Sequence, residues 1–473
     1  MATKRALVVG SGPNGLSAAV ALARAGVRVT VLEATDTIGG GLRTEPLTLP
    51  GFRHDAGAAV FPLGIASPFF QSLPLAQHGL RWLEPDVPLA HPLLGGDAVG
   101  LMHDLTATCE LLGEDGPTWR RFMAPFLHDQ PALLADLLAP LIHWPARPFT
   151  LARFGLNALQ PATMLARRLF RTQRARTLFA GLAGHANVPL DFVASAAPAL
   201  VLGMTAHTTG WPIAAGGSQS IANALASLLR ELGGDVVTGV RVAALQELEH
   251  ADAVLLDVSP QQFLAMAGDA LPPAHRAAYE QFKPGPGTCK VDWALSAPIP
   301  WSSDLCRRAG TVHLGASMDE IAQSEHDAWN GTVNAAPHVL LSQPSLFDPT
   351  RAPAGKHTAW AYCHLPNGSK ADATAAIEAQ VERFAPGFGQ CILARHTRTA
   401  PQMQAWNANL LGGDVSGGAM TLRQMVQRPT LRPYRTPLPG VYLCSASTPP
   451  GGGVHGMCGA QAAAVALAGM GLA

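Results

Sequence analysis

Apolar positions along the chain fall into runs of two kinds. Ala6 to Val9, Val27 to Leu32, Ala253 to Val258 and Val441 to Leu443 are short and continuous. Runs of that kind predict strands buried on both faces, as in a parallel sheet. Gly15 to Ala25, Ser218 to Glu231, Ala371 to Phe384 and Gly459 to Ala468 have helical spacing and predict helices. Gly26 closes the first of these, and Gly233-Gly234 closes the second. Val236 to Leu245 predicts one more strand. Between about Pro85 and Gly210 the composition shifts to Leu, Ala, Arg and Trp at helical intervals, as in Trp119 to Leu141 and Pro161 to Leu182. This region predicts a mostly helical insert. Residues 287–422 hold several strand-like segments around the Ala371 helix. No repeat of the solenoid kind occurs.

A chain of 473 residues is too long for one compact core and suits two interleaved domains. Hydrophobic residues make up 48% and charged residues 14%, and the formal net charge is zero. That balance gives no basic stripe for nucleic acid and no acidic tail. The seven cysteines are scattered, without a Cys-x-x-Cys pair, and no His-x-x-x-His pair occurs. No metal site is therefore expected, and the thiols read as reduced and mostly buried. The N-terminal apolar run is too brief for a signal peptide. The stretch from Phe192 to Ala206 is too short to span a bilayer. A soluble, cytoplasmic protein is expected, and loose attachment to a membrane surface stays open.

The chemistry begins between the first strand and helix, at Gly10-x-Gly12-x-x-Gly15. Gly10 allows the tight turn, Gly12 admits a pyrophosphate, and Gly15 lets helix and sheet pack closely. The helix N-terminus then offers free N–H groups to phosphate. Glu33 closes the second strand, where a carboxylate can bind ribose hydroxyls. Strand, glycines, helix, strand and acid in this order form a dinucleotide fingerprint. Thr37 to Thr44, with Gly39-Gly40-Gly41-Leu42-Arg43, follows where the rest of an extended dinucleotide would pass. Near the far end, Leu443 to Gly459 runs from strand through Gly451-Gly452-Gly453 into a helix starting near Val454. That helix would aim its positive end at the edge of a flavin ring. Together these segments select FAD over NAD.

On these three stretches the chain resembles the phytoene-dehydrogenase-related branch of the flavin amine-oxidase superfamily. Gly210-Trp-Pro-Ile-Ala-Ala-Gly-Gly-Ser, Gly239-Val-Arg-Val, Arg383-Phe-Ala-Pro-Gly-Phe, Gly412-Gly-Asp and Arg428-Pro-x-x-x-Pro433-Tyr434 extend the resemblance over nearly the whole chain. It implies an α/β protein: a Rossmann-type FAD-binding domain with an interleaved α+β substrate domain. We assign residues 1–84, 211–285 and 423–473 to the first, and 85–210 and 286–422 to the second. It also implies FAD contacts at Gly10, Gly12, Asn14, Gly15, Glu33, Gly40, Leu42, Arg43, Val242, Ser447, Gly453, Val454 and Met457. Pro13, Ala34, Gly41 and His455 fall in the same loops. Ser445-Ala446-Ser447 departs from the Gly-Glu or Gly-Asp common in amine oxidases, which counts against amine oxidation. No covalent flavin link is expected.

Flavin chemistry asks little of side chains beyond orientation and sometimes a base. His455, inside the last glycine loop, and His207, before Gly210-Trp211, are the candidate catalytic residues. His54-Asp55 reads more simply as a turn. The leading expectation is an FAD-dependent oxidoreductase dehydrogenating a carbon–carbon bond of a hydrophobic substrate, with oxygen or a quinone as electron acceptor. A double-bond reductase of the retinol-saturase kind, an amine oxidase, and a flavin-binding interaction protein are the alternatives. Oligomeric state is not legible.

Overall fold

The computed structural model describes residues 4–140 and 142–472. Residues 1–3 and 473 of the first domain's range, and Leu141, where one helical segment was expected to end, lie outside them.

Two sheets organise the chain. The first has five parallel strands in the order Val441–Leu443, Ala253–Leu256, Arg5–Val9, Arg28–Leu32, Asp235–Val237. The helices Pro13–Arg24, Gln219–Glu231 and Met457–Gly469 accompany it. Its strands are short and branched, and the central ones are buried, as a sheet covered on both faces requires. Helix Pro13–Arg24 packs on Met457–Gly469 so tightly that a Cβ at Gly459 would collide with the carbonyl oxygen of Asn14. This contact brings the last glycine loop beside the first.

The second sheet has seven mixed strands. Their order is Ile392–Arg398, Gly287–Leu295, His357–Leu365, Val339–Ser342, Ala309–Leu314, Val87–Pro92, Ala98–Leu101. One face, with Val291, Trp293, Ala361, Cys363, Leu341 and Val312, joins the core under helix Thr374–Phe384. The other face lies beneath the helices drawn from residues 105–208, which have an apolar core of their own around Trp119, Phe126 and Phe179.

Three expectations need correction. The insert from Pro85 to Gly210 is not helical from its start: Val87–Pro92 and Ala98–Leu101 are strands of the second sheet. Val236 to Leu245 is a strand only at Asp235–Val237. Beyond it the chain leaves the sheet so that Val240 N–H can donate to Glu33 O at 2.8 Å, which turns residues 240–243 toward the ribose acid. The last helix begins at Met457 rather than near Val454, because Val454 and Gly456 both have positive φ.

Candidate functional site

A single cavity of about 1160 Å³ runs between the two sheets. It exceeds the roughly 300–1,000 Å³ of ordinary small-molecule pockets and can take a dinucleotide with a second molecule beside it. Its two ends are built differently.

The first end is backbone. Gly10, Gly12, Pro13, Asn14, Glu33, Ala34, Gly40, Gly41, Arg43 and Val242 line it, and Ser447, Gly453, Val454 and His455 continue it. A Cβ at Gly15 would strike the Gly10 carbonyl, so glycine there closes the loop rather than touching the cavity. Glu33 accepts hydrogen bonds from Ser11 N and Oγ at 2.9 and 2.5 Å, and from Thr35 N and Oγ1 at 3.0 and 2.9 Å. Burial pushes its carboxyl up, but these four bonds outweigh burial and hold its pKa below the usual value. It is therefore an anion ready to accept ribose hydroxyls.

Sequence reasoning missed Asp257, just past strand Ala253–Leu256. Its Oδ2 accepts the Gly15 N–H at 3.0 Å and lies 2.5 Å from where a Gly12 Cβ would sit. Burial, with Glu33 adding to it, pushes this carboxyl up to about 7. The only advance signal was an acid in the terminal position of an apolar run, the same signal that marked Glu33. Trp406 was also missed. Arg43 lies over its ring at 4.4 Å and donates to its carbonyl at 2.8 Å, so the guanidinium is packed rather than free.

The residues present fit a bound dinucleotide. Two polar atoms at this end, Asn14 Oδ1 and His455 Nε2, are buried without a protein partner. In His455, Nδ1 accepts from Met457 N–H at 3.1 Å, so Nε2 carries the proton and is a donor lacking an acceptor. Burial pushes its pKa down to about 4, and the ring is neutral. A buried donor of this kind costs about 1–3 kcal/mol unless a ligand accepts from it.

Some expected residues do not reach the cavity. Leu42 is in the hydrophobic core of the first sheet, and Met457 packs against the helical core. His207 is the larger correction. It is buried beside Trp119, whose Nε1–H donates to its Nε2 at 3.0 Å, and it does not line the cavity. It is a core histidine in the last turn of helix Ala197–Thr208. Asp55 is also structural. It binds Arg351 at 2.6 Å and accepts from Ser218 N and Oγ, tying strand His54–Asp55 to the turn Pro349–Arg351 and to the start of helix Gln219–Glu231.

The second end is side chain. Paired residues on adjacent strands share a face, and Lys290, Tyr362, Leu340 and His313 form one such row across the second sheet. Thr288, Trp360, His364 and Thr311 lie on the same face. Such a polar face normally meets water; here it is roofed by helices and forms a cavity floor. Lys290 is buried and paired with Asp292. The roof, from helices Gln130–Leu137, Pro148–Ala158 and Ala197–Thr208, is apolar, with Leu134, Leu137, Phe154, Ala158 and Val201 facing in.

The comparisons agree with this architecture. Residues 8–73 match the family model of the NAD(P)-binding Rossmann-like domain. Pyridine nucleotide-disulfide oxidoreductase domain-containing protein 2 of Rattus norvegicus is 27% identical, over 97% of this chain and 92% of its own length. Hydroxyneurosporene desaturase of Cereibacter sphaeroides is 30% identical over 55% of this chain and 57% of its own length. In fold, the chain resembles cyclohexylamine oxidase of Brevibacterium oxydans, with TM-score 0.60 at 16% identity, covering 99% of this chain and all of that one. No helix among the described residues is long and apolar enough to cross a membrane. The chain is an oxidoreductase of the flavoprotein type, with a Rossmann-type domain, a relative among carotenoid desaturases and a likeness in fold to an amine oxidase.

Proposed function

We propose that the protein holds FAD and dehydrogenates a carbon–carbon bond of a hydrophobic small molecule. One observation carries the reading: the glycine-built dinucleotide end opens, without a break, into an apolar vault floored by polar residues. The flavin would supply two-electron acceptance, and oxygen or a quinone would take the electrons onward. The chain's own contribution is positional. Gly10 and Gly12 bring backbone to the pyrophosphate, Glu33 accepts from the ribose, and His455 Nε2–H donates into the site. The roof of Leu134, Phe154 and Val201 keeps water away.

Along helix Pro148–Ala158, whose Phe154 and Ala158 line the vault, and in the segment before it, the protein exposes Ile142, Trp144, Phe149 and Leu156 at 94, 93, 89 and 73%. Arg153 and Arg168 stand exposed among them. An apolar patch with cations at its rim fits an anionic bilayer surface, from which a hydrophobic substrate would enter.

Purified protein is expected to be yellow, and heat is expected to release FAD. Protein that stays colourless after incubation with FAD would sink the reading. Anaerobic bleaching by a saturated substrate supports dehydrogenation. Bleaching by NADPH, with turnover of an enone, would instead mark a reductase.

A further inference from the structure

Beneath the vault lies a buried cluster of imidazoles that the proposed function does not use. His185 forms part of the cavity wall, and its Nε2 is 3.2 Å from Nε2 of His313 on the sheet floor. Behind them, Glu325 accepts from His364 Nδ1 at 2.7 Å and from His338 Nδ1 at 3.4 Å. His91 completes the group. Helix Gln173–Ala183 and the turn after it make room for the rings. A Cβ at Gly181 would sit 2.9 Å from His91 Nδ1 and 3.1 Å from His313 Nδ1, and one at Gly184 would sit 2.5 Å from His338 Cε1.

Charge within the cluster closes on itself. Burial raises the Glu325 pKa, but His364 and His338 outweigh it and hold the carboxyl down to about 2. Burial lowers His364, yet Glu325 outweighs it and raises that imidazole, so the two form an ion pair of no net charge. His185 is pushed down to about 3 by burial and by His338 and His364, and His313 well below its ordinary value by burial and its imidazole neighbours. His185 and His313 are thus both neutral. Lys290, the other charged group on this floor, is matched by Asp292. Among the described residues, no three donors converge to hold a metal ion.

Two neutral imidazoles meeting through Nε2 share one proton. If His185 carries it, its Nδ1 is an acceptor; if His313 carries it, His185 Nδ1 is a donor. Among the described residues, that Nδ1 makes no hydrogen bond within the protein. The wall therefore offers either role at no cost in charge. An ammonium or carboxylate would enter a dry vault with no free counter-charge. A carbonyl or hydroxyl oxygen needs only what His185 can give.

We propose that His185 anchors the substrate by a neutral oxygen function, a carbonyl or hydroxyl, on an otherwise apolar molecule. The proposal rests on the reading of the vault as the substrate site, and it narrows the substrate class.

The test uses flavin-loaded protein and five ligands of one chain length: 2-decanone, 2-decanol, 1-chlorodecane, decanoate and decylamine. Dissociation constants are read from the flavin absorption spectrum and from tryptophan fluorescence. The ketone and alcohol are expected to bind about tenfold more tightly than the chloroalkane, the worth of one neutral hydrogen bond, and more tightly than either ion. His185→Phe is expected to erase that preference while leaving chloroalkane binding within about threefold, and His185→Gln to keep part of it. If His185→Phe loses its flavin, the wild-type order decides alone. Equal binding of ketone and chloroalkane, preference for an ion, a preference that survives His185→Phe, or no binding of any probe would each overturn the proposal. Yellow protein that shows any of these results leaves the FAD reading intact, so the two failures are distinguishable.

Discussion

The two ends of the cavity solve the same problem with opposite means. At the dinucleotide end, polar contacts come from backbone and helix termini, and glycines clear the way. At the vault end, they come from side chains on a sheet face, and histidines sit where Gly181 and Gly184 leave room for them. Backbone contacts are fixed by the local chain path, so they recur wherever strand, loop and helix follow one another. Side-chain contacts exist only after six distant segments have met. The first end tolerates little change at its glycines, while the second holds a balance of buried charge that solution conditions can upset.

Acid should have the largest effect, and it acts on buried imidazoles throughout the molecule as well as in the vault. His54, His91, His207 and His455 are pushed down to about 4, chiefly by burial, and His185 to about 3. Folded values below the ordinary 6.5 mean that the unfolded chain takes up protons the folded chain refuses. Their contribution to stability is complete above pH 6.5 and is lost as pH falls from there toward 4. Each such group can give about 1.4 kcal/mol per pH unit within that window. Midpoints of urea unfolding at pH 7.5, 6 and 5 should fall ever more steeply, and a flat line to pH 5 would contradict neutral burial of these rings.

Breaking the ion pair comes next. Glu325→Gln leaves His364 buried without its counter-charge and should cost about 3–5 kcal/mol at pH 7.5. A loss below 1 kcal/mol would mean the pair is not charged. At the other end, Gly459→Val drives a side chain into the Asn14 carbonyl and should cost about 3 kcal/mol and most of the flavin affinity. Retained flavin in that variant would show that the two helices can separate without opening the cradle. The smallest stability change belongs to Trp144→Ser with Phe149→Ser. Unfolding should move by no more than about 0.5 kcal/mol, because both side chains are exposed. Co-sedimentation with phosphatidylcholine–phosphatidylglycerol vesicles should nevertheless drop at least tenfold, since each aromatic would bury about 1.5–3 kcal/mol of apolar surface. Unchanged sedimentation would remove the bilayer from the proposed route of entry.

Legibility in the sequence follows the same division. Gly10 to Gly15, Glu33 and the Gly451 to Gly453 loop could be read because each is local and sits in a recognised order of elements. The second sheet was harder. Strand Gly287–Leu295 alternates Thr288, Lys290, Asp292 with Cys289, Val291, Trp293, a pattern that ordinarily means one wet face, yet all nine residues are buried. Val87–Pro92 was absorbed into the helical insert although it forms a short hairpin with Ala98–Leu101; what seats that hairpin in the sheet is Ala309–Leu314, more than 200 residues away. His185 had no signal beyond its place after Gly181-x-x-Gly184. His207 looked better placed by its nearness to Trp211 and turned out to be packed on Trp119. Spacing along the chain shows which residues share an element, and nothing in it shows which elements will roof a polar face.

The close seat of Gly459 on Asn14 also has a consequence in time. The two residues are about 445 positions apart, and a ribosome adding about 5–20 residues per second takes roughly 20–90 s to travel between them. Through that interval the nascent chain carries the first glycine loop without the strand and helix that complete its pocket. A dinucleotide held by both loops would therefore be enclosed only after residues 441–469 have been made.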